Sequence, residues 1–194
     1  MSEKKADNTR LVTGIGRFSF PKVFKPEAFE EQTPKYSTAF LLPKKTDMGP
    51  YKAIIKNAKV AKWGKDSDNW PKNIHNPLKD GDEKDDLDGY TGMYYFTASN
   101  KNRPAVVDKD MNPITEESGD FYAGCYGRLA IRAFAYEVVN KKGQILKRGV
   151  SLSLEHIQKL KDGEPFSGKP KVEDVFEPVE SDDDDSSGDD DDDF

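Results

Sequence analysis

The sequence has few of the residues that build disulfides and metal sites. One cysteine among 194 residues excludes an intrachain disulfide and a thiolate zinc site, which is typical of the reducing cytoplasm. Two histidines are too few for a histidine-based metal site. No apolar run approaches the ~20 residues that cross a bilayer, and the polar first ten residues contain no signal segment. We therefore expect a cytoplasmic protein with no metal, no cofactor and no membrane span.

Positive charge is missing from the C-terminal end. Residues 173–194 contain 13 acidic residues and no Lys or Arg, so residues 1–172 carry about +7 and this acidic tail about −13. A basic body joined to a polyanion is typical of a protein whose ligand is itself a polyanion. The like charges predict a disordered tail. A purely solubilising tail remains an alternative, but the terminal Asp193-Phe194 suits a docking peptide, because a solubiliser gains nothing from a large aromatic.

The pattern of the body predicts one β-rich domain. Residues 1–9 are predicted to be a disordered arm, residues 10–172 a single domain, and residues 173–194 the tail. One helix is expected from Tyr51 to Trp63, capped by Asp47, with Trp63 holding it to the sheet. Strands are predicted at residues 11–20, 36–42, 93–99, 104–108, 122–139 and 146–154. Five or six strands with one inserted helix fit an all-β fold, a five-stranded OB-fold barrel.

Three local features complete this prediction. Residues 100–102 are expected to close a hairpin between the strands at 93–99 and 104–108. Residues 156–161 are expected to form a short helical end piece. Residues 64–89 read as a long irregular connection, which in a compact domain is usually functional or mobile.

One strand carries the pattern that points to function. Alternate side chains of a strand face opposite sides. Between residues 126 and 136 the odd positions are small or apolar and suit a barrel core. The even positions include three aromatics and two arginines: Tyr126, Arg128, Arg132, Phe134 and Tyr136. Aromatic rings that stack on bases, beside arginines that contact phosphates, are what single-stranded nucleic acid requires. The alternative is a face covered by the helix or by a dimer partner.

Other basic and aromatic residues could extend this surface. They stand in or beside the predicted strands: Arg17, Lys35, Tyr94, Lys101 and Arg103.

Motifs of catalysis are broken where they occur. Residues 163–169 resemble a phosphate-binding loop, but Pro170 stands where a hydroxyl should meet magnesium. The acidic residues 80–89 do not keep the ligand spacing of a calcium loop. Cys125 has no neighbouring signature of a nucleophile. We therefore expect no enzyme.

Four segments resemble the replication single-stranded-DNA-binding proteins of tailed bacteriophages. They are residues 35–47, 121–128 and 149–165, and the tail ending in Asp193-Phe194. The resemblance implies an OB-fold core that coats single-stranded DNA in the cytoplasm of an infected bacterium. It also implies that the tail contacts polymerase and primase-helicase, and that the protein anneals strands and forms a homodimer.

The sequence thus predicts a non-enzymatic protein that binds single-stranded DNA in phage replication and recombination. The predicted partners of Asp193 and Phe194 are replication proteins. Two alternatives remain open at this point. One is an RNA-binding module like a cold-shock domain, because nothing in the sequence visibly reads the 2′-hydroxyl. The other is a metal-dependent nuclease that uses the Asp-rich residues 80–89.

Overall fold

The computed structural model of the chain describes residues 8–28 and 33–166. The predicted tail, residues 173–194, and residues 1–7 of the predicted arm lie outside the described residues. Within the described part there are eight strands and one α-helix, besides short 3₁₀ turns at Ser67–Asn69 and Gly81–Lys84. The strands are β1 (Arg10–Val12), β2 (Gly16–Glu27), β3 (Lys35–Pro43), β4 (Lys79–Asp80), β5 (Met93–Asn100), β6 (Ala105–Val107), β7 (Tyr126–Val139) and β8 (Ile145–Lys161). The helix is α1 (Gly49–Trp63). No helix in the described part is long and apolar enough to span a membrane.

Five of the strands close into a ring. β2 pairs with β3, β3 with β5, β5 with β8, β8 with β7, and β7 returns to β2. All of these pairings are antiparallel except β5 with β8, which is parallel. β1 and β6 extend the sheet beside β7 and β8, and β4 pairs with β5. This ring resembles the barrel of OB-fold proteins, so the predicted fold class is confirmed.

The predicted first strand is divided in two, and the second part begins at a close approach of the backbone. β1 ends at Val12 and β2 begins at Gly16. A Cβ on Gly16 would lie 2.4 Å from the carbonyl oxygen of Leu41 and 2.7 Å from the ring of Phe40. Glycine at this position therefore lets β2 pack directly against β3, and the ring closes there.

The end of β8 corrects one prediction. Residues 156–161 are strand, not helix. The register between β7 and β8 shifts at Glu155, because Ile131 pairs with Leu154 whereas Ala130 pairs with His156. This bulge adds one residue, so the core positions of β8 change from a spacing of two to a spacing of three at Ile157. Apolar residues three positions apart are also typical of a helix, which explains why the sequence pattern predicts a helix here.

Two further predictions are wrong in detail. The strands β5 and β6 do not form a hairpin, because each pairs with β8 in parallel. β5 ends at Asn100, whose side-chain amide donates to the carbonyl oxygen of Leu154 in β8 at 2.9 Å. The residue that caps α1 is Met48, and Asp47 accepts a hydrogen bond from the N–H of Gly49 at 2.8 Å.

The inserted helix covers one end of the barrel core. Its buried side chains are those that the sequence spacing predicts: Tyr51, Ile54, Ile55 and Ala58. They join a cluster with Phe40, Phe96 and the inward face of β7. Trp63 donates its indole N–H to Glu137 of β7 at 3.2 Å, which confirms that it attaches the helix to the sheet.

Candidate nucleic-acid interface

The alternation predicted for β7 is observed. The odd positions point inward, and Leu129 and Ile131 are fully buried. The even positions point outward, where Arg128, Arg132 and Phe134 are exposed and Tyr136 is half-buried. Phe134 keeps 45% of its surface in contact with solvent. We call Arg128, Arg132, Phe134 and Tyr136 the β7 platform.

Small residues on the next strand leave Phe134 uncovered, whereas beside Tyr136 the backbone of His75 pairs with β8 at Gly149. Arg132 pairs with Ser153, Phe134 with Ser151, and Tyr136 with Gly149. None of these partners has a side chain large enough to cover an aromatic ring. The helix does not cover Phe134 either, because α1 packs around the inward-facing core. Of the alternatives considered for this face, the cover by the helix is therefore excluded.

The surface continues across the barrel as a line of serines, Ser37, Ser99 and Ser153, which we call the small-residue row. Ser37 of β3 pairs with Ser99 of β5, Ser99 pairs with Ser153 of β8, and Ser153 pairs with Arg132. On the far side of Arg132 lies Arg10 of β1. The strand register therefore places a line of short side chains across the sheet, from β3 to Arg132 and Arg10.

Two arginines of this surface have polar partners within the described residues. Arg128 donates from Nε to the amide oxygen of Gln158 at 2.7 Å, a partner that carries no charge. Arg10 forms an ion pair with Glu155 at 3.1 Å, and the Arg10 side chain stays more than half exposed. A phosphate approaching Arg128 meets a guanidinium whose orientation the amide already fixes.

A second cluster, at the start of β7, is tied into the body. The guanidinium of Arg17 lies 5.0 Å from the ring centroid of Tyr126 and 4.1 Å from that of Phe166. It also donates to the carbonyl oxygens of Gly124, at 3.0 Å, and Glu164, at 2.5 Å. Arg17 thereby fixes the last described segment against the barrel. The structure thus separates Arg17 and Tyr126 from the open β7 platform.

The remaining predicted residues divide between the two ends of the β3–β5 pair. Tyr36 pairs with Asn100, so Lys35 lies at the same end as Lys101 and Arg103, and all three are exposed. Tyr94 pairs with Leu42 at the opposite end, next to Lys44. The predicted partner-binding residues Asp193 and Phe194 lie outside the described residues.

Sequence reasoning missed an exposed aromatic on the outside of β2. Phe20 is 57% exposed and has a φ of +45°, a conformation that is uncommon for a residue other than glycine. It lines a cavity of about 270 Å³ with Lys22, Ser37 and Tyr95. Simple alternation would place Phe20 in the core with Phe18, but the positive φ and a shift of register after Ser19 turn it outward. Pro21 is the only local signal of this irregularity.

The acidic connection shows no metal-ligand geometry. Lys44 pairs with Asp80 at 2.9 Å and also with Asp82, and these bonds lower the pKa of both carboxyls. Asp82 also accepts from the N–H of Gly92 at 2.7 Å. Within residues 8–28 and 33–166, no three His, Cys, Asp or Glu side chains are grouped as metal ligands. The aspartates therefore fix a loop to the barrel.

A comparison with known protein families identifies the relatives of this chain. The family described as Enterobacter phage Enc34, ssDNA-binding protein, matches residues 9–187. The chain belongs to this family. Protein p50 of Acyrthosiphon pisum secondary endosymbiont phage 1 is 39% identical over 161 residues, which cover 78% of this chain and 83% of that protein.

Solved structures of the Enc34 family have the same fold. The single-stranded DNA-binding protein from bacteriophage Enc34 in complex with ssDNA matches with a TM-score of 0.68 and 26% identity, over 84% of this chain and 96% of that one. Another structure of the Enc34 protein matches with a TM-score of 0.64 and 26% identity, over 90% and 97% of the two chains. The gp2.5 protein of bacteriophage T7 matches with a TM-score of 0.53 at 14% identity, over 88% and 99% of the chains, which shows a shared fold.

Proposed function

We propose that this protein binds and protects single-stranded DNA during phage DNA replication and recombination. The observation that carries the proposal is the β7 platform, where the exposed ring of Phe134 lies between Arg132 and Tyr136 on the outward face of the strand. Bases of a single strand are free to stack on such rings, and phosphates can approach the guanidinium groups. A duplex keeps its bases paired, so stacking on the platform favours the single strand.

The DNA path follows the small-residue row. A strand that crosses β3 and β5 can lie close to Ser37, Ser99 and Ser153 before its bases reach Phe134 and Tyr136. Arg128 and Arg132 then contact the phosphates, and Phe20 offers a further ring at the β3 side. In OB-folds, oligonucleotides commonly bind on the face of the second and third barrel strands, which here are β3 and β5.

Three of the other predicted binding residues have supporting positions on this path. Lys35, Lys101 and Arg103 place positive charge at one end of the β3–β5 pair. Tyr94 does not, because strand alternation puts it on the face of β5 that carries Phe96 and Ala98, where it lies beside α1. Tyr126 and Arg17 mark the edge of the surface, where they hold residues 164–166 in place. The Enc34 relative solved with ssDNA supports the single strand as ligand.

The acidic tail has two roles in this proposal. With about 13 negative charges joined to the body, it competes with DNA for the basic surface at an effective concentration on the order of millimolar. When DNA displaces the tail, Asp193 and Phe194 become available to replication proteins such as polymerase and primase-helicase. A pull-down with the full chain tests this second role, because deletion of Phe194 alone should abolish the capture of such a partner.

Titrations of the full chain with matched oligonucleotides test the proposed ligand. We expect oligo(dT) to bind more tightly than a duplex of equal length, and affinity to fall with salt at a slope near −0.7 for each phosphate contacted. Equal or tighter binding of oligo(U) would favour the RNA-binding alternative. Cleavage of labelled DNA in the presence of magnesium would favour the nuclease. A salt-independent affinity would contradict the proposed phosphate contacts.

A further inference from the structure

A groove lies between α1 and the connection that follows it, outside the β7 platform. Its volume is about 430 Å³, within the range of about 300–1,000 Å³ that is usual for ligand pockets. Its apolar lining consists of Met48, Ile55, Leu78, Trp70 and Tyr94. We call this cavity the α1 groove. An aromatic ring would fit between its aliphatic and aromatic walls.

The rim of the α1 groove is strongly basic. Four lysines line it: Lys52, Lys56, Lys59 and Lys79. The ammonium group of Lys59 lies 5.7 Å from the ring centroid of Trp70, so one charge is held directly over an aromatic wall. The one carboxylate of the lining, Asp80, is paired with Lys44 at 2.9 Å. The groove thus matches a ligand that carries an apolar ring beside several negative charges.

The apolar wall of the groove suits a phenyl ring, and Asn76 is the one amide side chain in its lining. The edges of a base carry hydrogen-bond donors and acceptors, and burying them without partners is unfavourable. Met48, Ile55 and Leu78 offer no strong hydrogen-bonding group. A phenyl ring needs no such partner, and its burial is favourable.

The end of this chain has the required chemistry. Phe194 supplies a phenyl ring, and five consecutive acidic residues, Asp189 to Asp193, directly precede it. The 28 residues after Phe166 can span up to about 90 Å at ~3.3 Å per residue, whereas a domain of this size has a radius of gyration of about 15 Å. The C-terminus can therefore reach the groove of its own body from any path around the barrel.

We propose that the α1 groove binds the C-terminal Phe194 of the same chain, with the ring between Trp70 and Ile55 and the acidic groups on the lysine rim. The inference rests on the proposed regulatory role of the tail and gives that tail a defined binding site on the body. Binding of Phe194 to the groove holds the preceding aspartates close to the basic body, and it withholds the terminal aromatic from other proteins. Binding of Phe194 in the groove would then regulate partner recruitment, in addition to the competition between the acidic tail and DNA for the basic surface.

Photocrosslinking in the full chain tests this assignment. p-Benzoylphenylalanine is incorporated in place of Phe194, the protein is irradiated without DNA, and the products are mapped by mass spectrometry. We expect crosslinks within one chain to the peptides that contain Met48, Ile55 and Trp70. The same photoreactive residue in place of Ser187 is the matched control, and it should not give this set of products.

Charge variants separate a specific site from random contact. Lys52 and Lys56 are exposed on α1, so the double substitution Lys52→Glu and Lys56→Glu should leave the fold intact and lower the crosslink yield by about tenfold. Lys65→Glu changes an exposed lysine that does not line the groove, and it should leave the yield unchanged. An equal fall in the control variant would show that only net charge matters and would overturn the site.

Three other outcomes would overturn the proposal. Crosslinks confined to the β7 peptides would place the ring on the DNA surface, and crosslinks between two chains would identify a second copy as the occupant. Crosslinking of an iodouracil-labelled oligonucleotide to the groove, with no product from position 194, would identify nucleic acid as the occupant. Since irradiation is done without DNA, failure of the groove assignment is distinct from failure of single-stranded DNA binding.

Discussion

Truncation of Phe134 should remove binding energy while leaving the fold in place. Phe134 lies on the β7 platform with 45% of its surface exposed, so about half of the ring is available to a base. Stacking contributes about 1–3 kcal/mol per base, so Phe134→Ala should weaken oligo(dT) binding by about 5- to 150-fold. The half-exposed side chain contributes little to the core, and the loss of folding stability should not exceed about 1 kcal/mol.

Two control variants make this result interpretable. Leu129 stands on the same strand but is fully buried, so Leu129→Ala should destabilise the protein by about 2–5 kcal/mol without a specific loss of DNA affinity in the folded state. Val138 is also on β7 and is 46% exposed, so Val138→Ala matches the exposure of Phe134 without removing an aromatic. Fluorescence anisotropy with labelled oligo(dT) measures affinity, and urea unfolding measures stability. If Phe134→Ala binds DNA as the parent does, or unfolds as readily as Leu129→Ala, the orientation assigned to the platform is refuted.

The other predictions concern charge, the tail, packing and the single thiol. Arg128→Ala and Arg132→Ala should each make the slope of log affinity against log salt shallower by up to about 0.7, while Lys65→Ala should not; equal slopes in all variants would argue against phosphate contacts on β7. Removal of residues 173–194 should tighten oligo(dT) binding, most of all at low salt where screening is weakest, and an unchanged affinity there would contradict competition by the tail. Gly127→Ala should lower the free energy of unfolding by about 1–3 kcal/mol, because its Cβ would lie 2.1 Å from the carbonyl oxygen of Gln158. Gly14→Ala, whose Cβ would lie 3.9 Å from the hydroxyl of Tyr51, an ordinary contact distance, should have little effect in the same urea titration. Burial raises the pKa of the Cys125 thiol and so lowers the thiolate fraction at pH 8; labelling by a disulfide reagent should be slow in native protein and fast in urea, and rapid native labelling would show that Cys125 is accessible.

The features that the sequence predicted well are those with a regular period. The alternation on β7 places small or apolar residues in the core and arginines outside, and the structure shows this division from Gly127 to Phe134. The spacing of Tyr51, Ile54, Ile55 and Ala58 correctly defines the buried face of α1. In both elements a single periodic pattern covers the whole contact surface, so no tertiary information is needed.

The errors arise where the backbone departs from a regular period. The bulge at Glu155 changes the spacing of core residues in β8 and makes a strand resemble a helix. The positive φ of Phe20 turns an aromatic outward that alternation assigns to the core. β5 and β6 are adjacent in sequence, yet both pair with β8 because Asn100 directs the chain toward that strand. Each of these features depends on a partner strand that is distant in sequence.

The small-residue row could not be predicted for a similar reason. Ser37, Ser99 and Ser153 are ordinary strand residues on three separate strands, and only the register places them side by side. These serines matter because their side chains are short, so the surface leaves room for a strand of DNA to lie across it. The α1 groove is also invisible in the sequence, because its walls come from the helix, β5 and the connection between them.

The most direct test of the central claim is to map where single-stranded DNA lies on the full chain. An oligo(dT) with single 5-iodouracil substitutions can be bound at low salt, irradiated at long wavelength and analysed by mass spectrometry for the crosslinked residues. The structure predicts products at Phe134 and Tyr136 on β7, with a further site at Phe20. Crosslinks that avoid β7 altogether would contradict the account of how this protein binds its ligand.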